Sequence, residues 1–141
     1  MTTLVRELFA APPAEARAGV KVSGWVRTMR ESKAFAFVEL NDGSYFKNLQ
    51  IVLEADKLEN YHELTKKIGV GAAIEAEGEL VPTPEMKQPF ELKATALTVL
   101  GESPSDYPLQ KKRHTLEYLR TMTHLRPRTN TFQAVFRVRS L

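Results

Sequence analysis

No cysteine occurs anywhere in the sequence. Disulfide frameworks and thiolate metal sites are therefore excluded, and a reducing compartment fits by default. Long hydrophobic runs are missing too, so no membrane-spanning helix is expected, and the leading MTTLVRELFAAPP lacks the charged-then-apolar layout of a signal peptide. A cytoplasmic location is the resulting expectation. Signature catalytic motifs are also absent: the sequence holds no GxxxxGK[ST] phosphate loop, no GxSxG elbow and no HExxH. The three histidines, His62, His114 and His124, fall on different predicted elements, which favours surface or packing roles over a shared metal or catalytic site.

A surplus of one charge is likewise missing from most of the chain. The net charge is +3, but residues 1–101 hold 12 Lys and Arg against 14 Asp and Glu, a net of −2. Residues 102–141 hold 8 against 3, a net of +5. The basicity belongs to the tail, so any nucleic-acid argument for the main body must rest on where individual charges lie. At 141 residues the chain can form one compact domain with a real core.

What is present is alternation. TTLVRELF (residues 2–9) reads as a short leading helix with Thr2 or Thr3 as N-cap, ended by Pro12-Pro13. VKVSGWVRTMR (20–30), AFAFVEL (34–40) and NLQIVLEAD (48–56) read as three strands, the second closed by the turn Asn41-Asp42-Gly43-Ser44. In KLENYHELTKKIGVG (57–71), Leu58, Tyr61, Leu64 and Ile68 recur at helical spacing until Gly69. AAIEAEGELV (72–81) and FELKATALTVLG (90–101) supply two more strands, joined by the proline-bearing loop PTPEMKQP (82–89).

Five strands with a helix between the third and fourth is the order of an OB-fold, a small Greek-key barrel that often binds oligonucleotides on one face. The expected architecture is thus all-β with flanking helices: an OB barrel over 1–101, a helical hinge over 102–129 and the start of a further helix over 130–141. The hinge opens with the polar ESPSDYPLQKKRH (102–114). In TLEYLRTMTHL (115–125), Leu116, Leu119 and Met122 form a helical stripe that Pro127 interrupts. NTFQAVFRVRSL (130–141) places Phe132, Val135 and Phe136 on one stripe and has no closing cap, so a longer parent protein is expected.

With the aliphatic phase of each strand turned inward, the outer side carries Phe35, Phe37 and Glu39, then Gln50, then Glu91 and Lys93. The first strand adds Lys21, Trp25 and Arg27, with Arg30 and Lys33 near its end. Such a set suits a single-stranded nucleic acid. Aromatic rings stack on unpaired bases for about 1–3 kcal/mol each, Arg and Lys hold phosphates, and a Gln amide matches a base's Watson–Crick edge. A carboxylate repels phosphate, so Glu91 on this face would accept from base N–H groups, which favours sequence-specific reading. The competing interpretation is an ordinary solvated face, since exposed residues of an antiparallel sheet are normally polar.

VSGWVRTMRESKAFAFVELNDGS, NLQIVL and YPLQKKRHTLEYLRTMTHLRPRTNTFQAVFRVRS together resemble the bacterial-type asparaginyl-tRNA synthetases, a class II family, over nearly the whole chain. The resemblance implies an OB-fold that grips the tRNA anticodon, a short hinge and a large catalytic domain, of which residues 130–141 would be the start, the helix of the first class II motif. It matches Phe37 to the ring that stacks on an anticodon base, Gln50 to the glutamine that reads the central uridine, and Glu91 to an acidic residue near the first anticodon base. Arg27 and Arg30 fall in the basic segment of strand one. The parent would be a homodimeric asparagine–tRNA ligase that uses ATP, releasing AMP and diphosphate, with Mg²⁺. The family's ATP-binding motifs are not found here, so this chain should hold no cofactor and not aminoacylate. Two alternatives stay open: the equivalent domain of an aspartyl-tRNA synthetase, and a free-standing non-catalytic single-strand-binding OB protein. The low charge of residues 1–101 also allows that the piece alone binds RNA only weakly.

Overall fold

A computed structural model describes residues 2–83, 88–104, 106–110 and 112–141. The middle of the proline-bearing loop, 84–87, lies outside the described residues. Five strands, β1 (Arg17–Glu31), β2 (Phe35–Asn41), β3 (Leu49–Glu54), β4 (Ala73–Pro82) and β5 (Phe90–Gly101), close into a barrel in the order β1-β2-β3-β5-β4. Every pairing is antiparallel except the short parallel contact of β3 with β5. Helix α2 (Tyr61–Lys67) bridges β3 and β4, and α1 (Val5–Ala10) precedes the barrel. This is the OB architecture that the strand order predicts.

The interior follows the aliphatic phase of the strands. Val20, Val22 and Val26 of β1, Ala36, Val38 and Leu40 of β2, and Leu49, Ile51 and Leu53 of β3 are at most 2% exposed. Full burial of one such leucine contributes about 1.5–3 kcal/mol, so a one-residue slip of any strand would be prohibitive. Against β2, strict alternation in β1 fails once. Val26 pairs with Leu40 and Thr28 with Glu39, which leaves Arg27 as a bulged extra residue. Beyond the bulge Met29 faces the core and Arg30 faces out, the reverse of an unbroken period of two.

Helix α1 also departs from its local signal. Its N-cap is Leu4, which has no acceptor, so neither Thr2 nor Thr3 caps it. Instead Asp42 Oδ2 accepts from the Val5 N–H at 2.9 Å and Ser44 Oγ from the Arg6 N–H at 3.1 Å. The turn at the end of β2 satisfies the helix donors from across the molecule.

After β5 the chain runs through α3 (Leu116–Arg120), a 3₁₀ turn (Arg126–Arg128) and α4 (Asn130–Ser140). Leu119 and Met122 are buried there, whereas Leu116, expected on the same stripe, is exposed at the first position of α3. On α4, Val135 and Phe136 lie exposed. This segment packs back on the barrel. The Arg128 guanidinium sits 4.9 Å over the Trp25 ring and donates to the Tyr107 hydroxyl at 3.4 Å, and Arg137 donates to the Gly43 carbonyl.

Candidate nucleic-acid interface

Cross-strand register assembles the site. Arg30 pairs with Phe37, Phe37 with Val52, and Val52 with Lys93, so one row crosses β1, β2, β3 and β5 on the outer face. Arg30 lies 5.4 Å over the Phe37 ring, which leaves a cation beside a half-buried aromatic plane. Val52 is buried on this outer side yet stands apart from the core cluster. It forms an apolar floor between its register neighbours Phe37 and Lys93. Phe35, two residues along β2, is 45% exposed.

The neighbouring row is polar. Thr28 pairs with Glu39 and Glu39 with Gln50. Gln50 Nε2 then donates to Glu91 Oε2 at 3.2 Å across the seam between β3 and β5. That bond uses one amide hydrogen and one carboxylate oxygen. Among the described residues the Gln50 carbonyl oxygen, its second N–H and the remaining Glu91 lone pairs have no partner, and they offer acceptor and donor groups one register row from Phe37.

Not every predicted residue joins this cluster. The bulge turns Arg27 toward the hinge, where it lines a small cavity with Trp25, Tyr107 and Arg128. Burial holds its guanidinium below the ordinary value, against the pull of Tyr107 and Glu39, with Arg128 adding repulsion. Lys93 sits at the far edge of the apolar row, with Glu79 as its β4 register partner. The opposite flank of the barrel is acidic: Glu75, Glu77 and Glu79 alternate outward along β4, and Glu75 pairs with Lys21 at 2.7 Å. The β4 flank therefore disfavours phosphate.

An aromatic platform flanked by cations, beside an oriented amide–carboxylate pair, sits on the open face of a five-stranded barrel. The tRNA anti-codon family, described as an OB-fold nucleic acid binding domain, matches residues 20–100. The chain belongs to this family.

Its relatives narrow the comparison. An asparagine–tRNA ligase from Acetivibrio thermocellus is 63% identical over 140 residues, covering 99% of this chain and 30% of the relative. One from Clostridium botulinum (strain Hall) is 58% identical over 139 residues, again 99% and 30%. The chain thus spans about 30% of the length of these relatives. The crystal structure of asparaginyl-tRNA synthetase from Pyrococcus horikoshii superposes with a TM-score of 0.83 at 22% identity, over 99% of this chain and 32% of that one. This last likeness is one of fold.

Sequence reading missed two residues of this OB domain. Gln88, in the loop before β5, accepts from the Gln50 N–H at 3.2 Å and donates to the Asn48 carbonyl at 3.0 Å. Its side chain mimics a strand where the β3–β5 ladder has only two register pairs. Asn48 donates to Glu39 at 3.4 Å. Neither residue carries a local signal, because a polar side chain in a polar loop looks the same whether or not it meets a strand 40 residues away. Among the described residues no three His, Asp or Glu side chains converge as metal ligands would, and no helix is long and apolar enough to cross a membrane.

Proposed function

We propose that this chain grips the anticodon loop of tRNA-Asn and acts as the anticodon-binding part of a cytoplasmic, homodimeric asparagine–tRNA ligase. The observation that carries the reading is the Gln50–Glu91 hydrogen bond beside Phe37. It preorganises an amide and a carboxylate for base edges while the ring takes a base face. Arg30 and Lys93 meet the phosphates. Phe35 extends the aromatic surface. Arg27, covered by the hinge, supports the interface from its margin. Relatives named asparagine–tRNA ligase at 58–63% identity favour this over an aspartyl enzyme.

The parent reaction joins asparagine to tRNA with ATP and Mg²⁺. The residues present do not fit those groups, since there is no converging ligand set among the described residues and no phosphate loop, so no step of catalysis is placed in this chain. It is expected to bind without aminoacylating.

The test is fluorescence anisotropy with a labelled stem-loop bearing GUU, against a scrambled loop. Phe37→Ala removes one stacking platform, about 1–3 kcal/mol, and should weaken binding between about fivefold and 150-fold. Gln50→Ala should reduce the preference for GUU over the scramble. Equal affinity of the unaltered chain for both loops would sink the reading in favour of a sequence-tolerant single-strand binder.

A further inference from the structure

Glu39 stands on the same face as Phe37 and Gln50 yet takes part in neither the aromatic row nor the Gln50–Glu91 pair. Its carboxylate is nevertheless held in place. The Gly43 N–H can only donate, and it bonds Asn41 Oδ1 at 2.8 Å. That fixes the Asn41 amide, 7% exposed, so its Nδ2 donates to Asn48 Oδ1 at 2.9 Å. The Asn48 Nδ2 is then the group turned to Glu39 Oε2. Glu39 Oε1 has no partner among the described residues.

A cleft of about 470 Å³ is lined by this residue. Glu39, Asn48 and Arg27 line it from the barrel, and Lys112, Arg113 and His114 line it from the hinge. Arg27, Lys112 and Arg113 therefore share the cleft with a single carboxylate, Glu39. Among the described residues Arg27 has no carboxylate within ion-pair distance, although it is half-buried.

We propose that this cleft is a second nucleotide subsite, taking a loop nucleotide that flanks the anticodon triplet. The proposal rests on the function inferred above. A carboxylate cannot meet phosphate, so Glu39 accepts from the N–H groups of the base, and Lys112 and Arg113 meet the phosphate from the hinge side. The geometry is continuous. Glu39 is the register partner of Gln50 and lies two residues, about 7 Å, along β2 from Phe37. That is about twice the ~3.4 Å rise of a stacked strand, the reach of the next nucleotide once the strand is opened. The hinge thereby becomes part of the RNA-reading surface.

The test uses the 141-residue chain and labelled stem-loops bearing GUU in which each flanking loop nucleotide is changed in turn. Arg113→Ala should weaken binding about fivefold to tenfold at ~0.15 M salt whatever the flanking base, and make the slope of log K against log salt shallower by about 0.7. Arg113→Lys should restore the slope. Glu39→Gln is isosteric and replaces an acceptor by a donor, so base preference should change about tenfold at one flanking position and nowhere else. If both variants match the unaltered chain on every loop while Phe37→Ala still loses binding, the subsite is refuted and the anticodon reading stands. If the unaltered chain does not distinguish GUU from a scrambled loop, both fall together.

Discussion

Gly71→Ala should undock the hinge while leaving the barrel folded. Gly71 has φ +92°, so alanine there costs about 1–2 kcal/mol in backbone strain. The new methyl would also lie 2.7 Å from Tyr107 Cε1, against a contact distance of about 3.5–4.0 Å. The ring must move by roughly 1 Å, and the contacts that Arg128 makes beside it are not strong enough to prevent it. Arg128 over the exposed Trp25 ring contributes about 0.5–1 kcal/mol, and its 3.4 Å bond to the Tyr107 hydroxyl is at the long end of a bond worth at most about 1 kcal/mol. A penalty of about 2–3 kcal/mol shifts the docked-to-undocked ratio about 30-fold to 150-fold. The barrel core is spared because Gly71 lies outside its cluster. Trp25 is the only tryptophan, so it reports docking directly. Its emission should move to longer wavelength and its acrylamide quenching should rise at unchanged far-UV circular dichroism. Unaltered emission and quenching would refute the idea that Gly71 and Tyr107 latch the hinge.

Gly78→Ala should be far more damaging, since its Cβ would lie 2.0 Å from the Lys93 carbonyl in the β4–β5 ladder; a loss of about 3–4 kcal/mol, read as a lower urea midpoint, is expected. Asp42→Ala removes the cap supplied to α1 and should cost about 1 kcal/mol, with faster amide exchange confined to the first turn of that helix. Tyr61→Phe deletes the 2.9 Å bond from its buried hydroxyl to the Ser32 carbonyl, costing about 1 kcal/mol in thermal unfolding. Burial, with a smaller contribution from Glu31, raises the Tyr61 hydroxyl above its ordinary value. Its contribution is therefore complete below about pH 10 and lost as pH rises through the higher folded value. The unaltered protein should lose stability above that pH more steeply than Tyr61→Phe.

Side-chain alternation alone determined which way β2 and β3 face, because period two is a local property and burial of Val38, Leu40, Ile51 and Leu53 permits one solution. That was enough to place Phe35, Phe37, Glu39 and Gln50 on a shared outer side. Resemblance to a known family then singled out Phe37, Gln50 and Glu91 among them. Tertiary structure decided what those residues do to one another. Gln50 and Glu91 are 41 positions apart and meet only through the parallel β3–β5 seam, which no local pattern encodes. The bulge at Arg27 depends on register against β2, so a residue that strict alternation sends to the outer face goes instead to the hinge. The cap of α1, the amide relay to Glu39 and the docking of Arg128 on Trp25 have the same character. Each joins groups distant in the chain, and their energy comes from long-range pairing, whereas period and propensity are confined to neighbours.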